Sequence, residues 1–343
     1  MATMLDHQLG MKQESTWNTP VTVDRFFEWM KGSSLDWDPN VVQGKGLRVG
    51  SQIARAGRRV ALVGKGSGKC SAELASKGLG ILLQSCWGTA TSTLVSGSTY
   101  QQLYTPVVSG TYLPSLTIQE GIVKPGGTAD SYTFAGCSIP KFTIEMPSDG
   151  IGTIEVEVDA RSLATATALA TASYPTTPTL FAGGLPTSGA MTAGGTLTAP
   201  TANAVGSIAG GTTVAVKSWK LEVDNNLDLK RDVIGGRNQP VVGLRQLKLT
   251  TTVEYDATTG VTFRDALIGQ SSTPILLSSA TAEALSTGTA QLQLAVPAAY
   301  IEKGALPEPS EGEVITTDIE WSILDPLTST AAYMVMRTAD TVL

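Results

Sequence analysis

The chain has 343 residues, enough to bury a substantial core and to divide into two domains. Its formal net charge of −6 argues against a protein that grips nucleic acid by releasing counterions, and no run approaches the ~18 continuous apolar residues of a membrane-spanning helix. Only 16% of residues are charged and 6% aromatic, against 36 glycines and abundant Thr, Ser and Ala. That mix favours short strands and long loops over helical bundles, and the low charge fits either a surface that neighbouring subunits cover or simply a Thr-rich β-protein.

Residues 1–46 read as an N-terminal arm. Met1 to Gly10 lacks a basic segment followed by an apolar core, so no secretory signal is expected there. Thr19 to Val23 reads as extended, with Asp24 placed to cap a short helix over Arg25–Met30. Aromatic residues crowd this stretch. Trp17, Pro20, Phe26, Phe27, Trp29 and Trp37 either dock the arm on its own domain or anchor it on a neighbouring subunit, where aromatic anchors are enriched.

Leu47 to Ala75 reads as a long β-hairpin with a mobile tip, opening a first β-unit over 47–162. Arg55, Arg58 and Arg59 lie on its first strand and turn. Within it, Gly64-Lys65-Gly66-Ser67-Gly68-Lys69 has the composition of a phosphate loop but not its spacing. Three residues rather than four separate Gly64 from Gly68, and Cys70 stands where the metal-binding hydroxyl belongs. A flexible hairpin tip is the better reading. Leu79 to Leu83 then reads as a short helix stopped by Gly88.

Residues 163–213 are rich in Ala, Thr and Gly and read as an insert or surface flap, with Leu180-Phe181 as its tack. A second β-unit follows over 214–330. Trp219 to Asp224 alternates strictly, a hairpin carrying Arg231 and Arg237 leads to Leu247–Tyr255, and Val261–Ile268 reads as a helix. Residues 331–343 close the chain with a strand at Tyr333–Arg337 and a short tail.

The second unit repeats the first. Gly57-Arg58 recurs at Gly236-Arg237, Ile139-Pro140 at Val296-Pro297, and Ser148-Asp149-Gly150 at Ser310-Glu311-Gly312. Duplicated β-units build quasi-symmetric assemblies more readily than single active sites. Nothing here suggests catalysis, a metal or a cofactor. The one histidine, His7, lies in a terminus read as disordered, and Cys70, Cys86 and Cys137 are too few and too widely spaced for a disulfide framework or a metal knuckle. Glu155 and Glu157 alternate on one strand and are matched by Asp318 and Glu320 in the copy. They are either solvated strand faces or the negative wall of a pore, which would hold off a passing polyanion. The arginines either bind nucleic acid or pair with carboxylates between subunits, and the acidic balance favours the second.

Three stretches carry a family resemblance: Lys12 to Val21, Leu35-Asp36-Trp37-Asp38-Pro39-Asn40 with Gly44 to Arg48, and Ala54 to Val60. So do Ser98 to Tyr104, Glu254-Tyr255-Asp256 and Arg337 to Asp340. Together they resemble the major tail tube proteins of long-tailed, non-contractile bacteriophages, particularly those of actinobacterial hosts. The resemblance spans nearly the whole chain. It implies a mainly β fold of two β-sandwich or partial-barrel units, each with a short flanking helix, completing a shared inner β-barrel on oligomerisation. It further implies a pseudo-sixfold ring, either a trimer of two-unit subunits or a hexamer. Stacked rings would form the conduit for DNA ejection, with tape measure, tail terminator and distal tail proteins as partners and DNA passing without specific binding. Such a protein resides in the virion tail and is made in the host cytoplasm. Another β-rich virion component, a baseplate hub or capsid decoration protein, is the alternative. A carbohydrate-active protein is disfavoured by the scarcity of aromatics away from the arm.

Overall fold

A computed structural model describes residues 6–50, 52–107, 110, 112–185, 191–306 and 314–343. The fold is mainly β, sandwich-like, and its sheets do not close into a barrel. Its central feature is a run of eight consecutive antiparallel strands. In spatial order these are Ser34–Asp38, Lys65–Glu73, Thr153–Ala160, Lys141–Met146, Val216–Asp224, Gln246–Glu254, Thr316–Ile323 and the end of Thr289–Lys303. Strand alternation sends one set of side chains inward: Ile154, Val156, Phe142, Ile144, Leu221, Val223, Leu249, Ile319 and Trp321 are all buried. The other set is polar.

Behind the inward face lie two outer layers. The first half of the chain supplies a five-stranded sheet in which Leu116–Val123 and Ala129–Cys137 pair with each other and with His7–Gln13 and Ser162–Ala164. The second half pairs Thr273–Ala284 with Thr289–Lys303, and Tyr333–Thr338 joins the latter strand to the hairpin Gly88–Ser96 and Thr99–Pro106. One contiguous apolar core joins all three layers.

Helix Gly80–Trp87 packs Leu82, Leu83, Cys86 and Trp87 into that core, and stops where expected. Gly88 stands at φ 102 with its N–H on the Gln84 carbonyl, a left-handed exit that suits glycine. The second helix, Ala257–Gly269, buries Phe263 and leaves Ile268 exposed.

Several expectations are corrected. Arg25–Met30 is not helical: Arg25–Phe26 pairs with Gly10 and Met11, and Trp29 bridges Ala72. The available sheet edge and the burial of Phe26 and Phe27 outweigh a cap at Asp24. The first hairpin runs from Ser34 to Glu73 rather than from Leu47, so Arg55 and Arg58 lie in its turn region. The segment from Gly64 to Lys69 is not a mobile tip, because Lys65 to Lys69 are strand. Its glycines admit close neighbours: a Cβ on Gly66 would meet Phe134 and Ala160, and one on Gly68 would meet the Ser34 carbonyl. His7 is ordered in a strand and contacts Glu120 at 2.8 Å.

The stretch 163–213 is only in part a surface flap. Phe181 is fully buried and exchanges backbone hydrogen bonds with Leu74 and Gly152, while Met191–Ala193 extends the second-half sheet. The matched turn at Ser310–Gly312 and the first residues of the arm lie outside the described residues.

Candidate functional site: the charged face of the eight-strand run

The eight strands carry thirteen carboxylates, seven lysines and no arginine, so the whole formal charge of −6 is accounted for on them. Alternation places nearly all of these side chains on the outward face. Glu155 and Glu157 both reach Lys69, at 3.0 and 3.7 Å. Next along the sheet, Lys141 contacts Asp224 at 3.1 Å and Lys220 contacts Glu222 at 2.8 Å. Glu320 receives Lys248 at 2.6 Å and Lys303 at 2.9 Å, and Asp318 accepts from Thr252.

The protonation equilibria follow these contacts. The hydrogen bond to Glu155 raises Lys69, those to Asp224 and Glu222 raise Lys141 and Lys220, and the two lysine donors lower Glu320. Each of these lysines is thus held charged and locally neutralised, while the surplus on the face is carboxylate. A polyanion approaching it meets paired ammonium groups rather than the planar fork of arginine, which is the better phosphate ligand.

The predicted arginines are dispersed. Arg58 and Arg59 are exposed and Arg55 is half-buried in the first hairpin. Arg231 donates to the Gln239 carbonyl within its own hairpin. Arg237 is buried, contacting Asp159 at 3.3 Å and Asp232 at 3.6 Å. Burial raises the Asp159 carboxyl, and Arg237 opposes that shift without overcoming it. Within the chain, then, Arg231 braces its own hairpin, and Arg237 ties that hairpin to Asp159.

The arm aromatics differ in burial. Phe26 and Phe27 are buried, and Trp29, half-buried, donates Nε1 to the Leu9 carbonyl. Trp17 and Trp37 are half-buried, leaving Pro20 exposed. Sequence reasoning missed the lysines of the charged face and the buried Glu14. Three of the lysines had a readable signal, because Lys141, Lys220 and Lys248 each stand beside apolar residues in an alternating strand, whereas Lys65 and Lys69 lie among glycines.

Both hairpins project apolar side chains beyond the sheet. Leu47, Val49 and Ile53 are exposed in the first, and Ile234 and Leu244 in the second. Among the described residues, no three His, Cys, Asp or Glu side chains are grouped to hold a metal, and no helix is long and apolar enough to cross a membrane.

An open-edged β-fold with a charged sheet face and projecting apolar hairpins defines a subunit suited to assembly. Residues 4–323 match the family described as phage tail tube protein, and the chain belongs to that family. It is accordingly a structural component of the phage tail, oligomeric within the virion. No curated protein matches the sequence.

Proposed function

We propose that three copies of this chain close their eight-strand runs into one ring, and that rings stack into the tube through which DNA is ejected. The carrying observation is the run itself: eight antiparallel strands, apolar on one face and charged on the other, ended on one side by Ser34–Asp38 and on the other by the last residues of Thr289–Lys303, which beyond Ala299 pair only with Thr316–Ile323 among the described residues. Strands spaced about 4.8 Å apart and tilted about 40° give a barrel whose diameter grows with strand number. Eight strands alone would close at about 16 Å, filled by their own side chains. Three copies would give about 48 Å between backbones, leaving a wet lumen wide enough for a duplex, whereas six would double that span. The charge inventory agrees, since a lumen should not hold the polyanion it conducts.

In this reading each half of the chain is one tail-tube unit. The first comprises Ser34–Asp38, Lys65–Glu73, Lys141–Met146 and Thr153–Ala160; the second comprises Val216–Asp224, Gln246–Glu254, the end of Thr289–Lys303 and Thr316–Ile323. Glu155, Glu157, Asp318 and Glu320 face the lumen. The exposed side chains of Leu47, Val49 and Ile53 and of Val233 and Ile234 make the ring-to-ring contacts, burying apolar surface that a lone subunit leaves in water. Tape measure protein in the lumen, and terminator and distal tail proteins at the ends, complete the tail.

Negative-stain microscopy of the purified protein tests this. Stacked rings with three chains each are expected. Six chains per ring would overturn the stoichiometry, and a monomer at all concentrations would overturn the tube.

A further inference from the structure

We infer that the junction between the two halves of one chain is the template for the junction between chains, with Lys303 of one copy seated opposite Asp38 of the next. This rests on the ring reading above and specifies its seam.

Inside the chain the halves meet where Lys141–Met146 pairs with Val216–Asp224, Lys141 lying opposite Asp224. The positions corresponding to these two residues can be read from the pairing registers alone. Lys65–Glu73 and Gln246–Glu254 are both nine-residue strands leading into a helix. Asp38 lies opposite the first residue of one, Lys65, and Asp224 opposite the first of the other, Gln246. Asp38 therefore holds the place of Asp224. Glu157 lies opposite the fifth residue of its partner strand, Lys69, and Glu320 opposite the fifth of its own, Thr250. Lys303 lies opposite Glu320, and the register of Phe142 with Val156 carries Lys141 to the same position beside Glu157. Lys303 therefore holds the place of Lys141, a place that the sequence match of Pro140 with Pro297 would instead assign to Ala298.

These two residues sit at the two ends of the run, and with Asp38 opposite Lys303 the preceding residues Trp37 to Leu35 lie alongside Gly304 to Leu306, just past the end of Thr289–Lys303. Ser34–Asp38 ends the strand order, and beyond Ala299 the last strand pairs only with Thr316–Ile323 among the described residues. The direction is right as well, since an eight-strand antiparallel run presents end strands of opposite sense. At the Ser34–Asp38 edge the backbone amides are occupied by carboxylates: Leu35 N–H by Glu120 at 3.3 Å, and Trp37 N–H by Asp36 at 2.7 Å. Such side-chain cover protects an edge until a strand arrives. Within the chain, Lys141 and Asp224 form an ion pair at 3.1 Å, and the same chemistry is present at the two edges.

Cysteine cross-linking tests the register. Asp38 and Lys303 would face each other as a non-hydrogen-bonded pair about 4.5 Å apart at Cα, within disulfide reach. Assembled protein carrying D38C and K303C is expected to give covalent dimers and trimers under mild oxidation. The control, D36C with K303C, is displaced by two residues beyond that reach and is expected to stay more than about tenfold less cross-linked. Charge reversal gives a second readout. K303E alone, or D38K alone, raises the critical concentration for assembly roughly fivefold, and the two together restore it. Rings that form but cross-link equally well in the control, or not at all, overturn the seam and leave the ring. Failure of the unaltered protein to form rings overturns the ring reading and the seam with it.

Discussion

The carboxylate of Glu14 accepts the backbone N–H of Gly136 at 2.8 Å, across more than a third of the sequence. The same buried side chain also accepts from Ser115 Oγ at 2.7 Å, Thr117 Oγ1 at 3.0 Å and the Asn18 N–H at 2.8 Å. Four donors satisfy the charge without a cation, and they fasten the N-terminal strand to the five-stranded sheet. Glu14→Ala strands several of these donors out of reach of water, and is expected to cost about 3 kcal/mol in urea unfolding. Glu14→Gln keeps one oxygen and should cost less.

A second anchor lies under the later helix. Trp321 meets Phe263 edge to face at 5.4 Å and donates Nε1 to Thr251 Oγ1 at 2.9 Å. Trp321→Ala removes a fully buried indole and orphans Thr251, and is expected to destabilise by about 3–5 kcal/mol. Phe263→Leu should cost about 1 kcal/mol. Calorimetry on both variants checks the ratio.

Neither anchor is legible in the sequence, whereas several of the elements they fasten are. Alternation in Trp219–Asp224 and Gln246–Glu254 gave the strands, because one buried face forces period two. Leu79–Leu83 with Gly88 gave the helix, because its stop is local chemistry. The arm differs from its helical expectation for a reason equally physical: an extended Arg25–Phe26 is stabilised by a strand edge at Gly10–Met11 that no local window contains. The pairing of Lys69 with Glu155 was hidden in the same way, since register across 86 residues is set by the whole sheet. Deletion of residues 1–46 should therefore unfold the first half rather than merely block assembly, because it removes Phe26, Phe27 and the Ser34–Asp38 strand.

Acid should loosen the contact between the two halves. Burial pushes the Glu283 carboxyl up, but Lys77 at 2.8 Å and the Ser76 and Thr179 hydroxyls outweigh it, and the group ends below its ordinary value. A depressed carboxylate contributes stability that is complete above the unfolded value of 4.5 and is lost as pH falls below it. Thermal stability should decline across that window, and Glu283→Gln should flatten the decline.

The three cysteines should be inert in the folded protein. Burial pushes Cys70 up to about 12 and Cys86 and Cys137 well above the usual thiol range, so almost no thiolate exists at pH 8. Iodoacetamide labelling should be negligible in the native state and appear only with global unfolding. Rapid labelling of any one of them would show that the core around it opens locally.

The charged face gives the most direct test of function. Lys69 now lies within 4 Å of two carboxylates, and reversing both leaves three ammonium groups together. E155K with E157K changes the charge of each subunit by about four, or about twelve per three-chain ring, on a surface read as the lumen wall. Each ring then attracts the phosphate backbone it should let pass. Phage carrying the double variant are expected to assemble tails and eject DNA more slowly. The delay should be greatest at low salt and shrink as ionic strength rises, because ammonium–phosphate attraction is screened and counterion release loses its advantage. Ejection followed by a DNA-binding dye across a salt series measures this, and a delay independent of salt would place these residues away from the passing duplex.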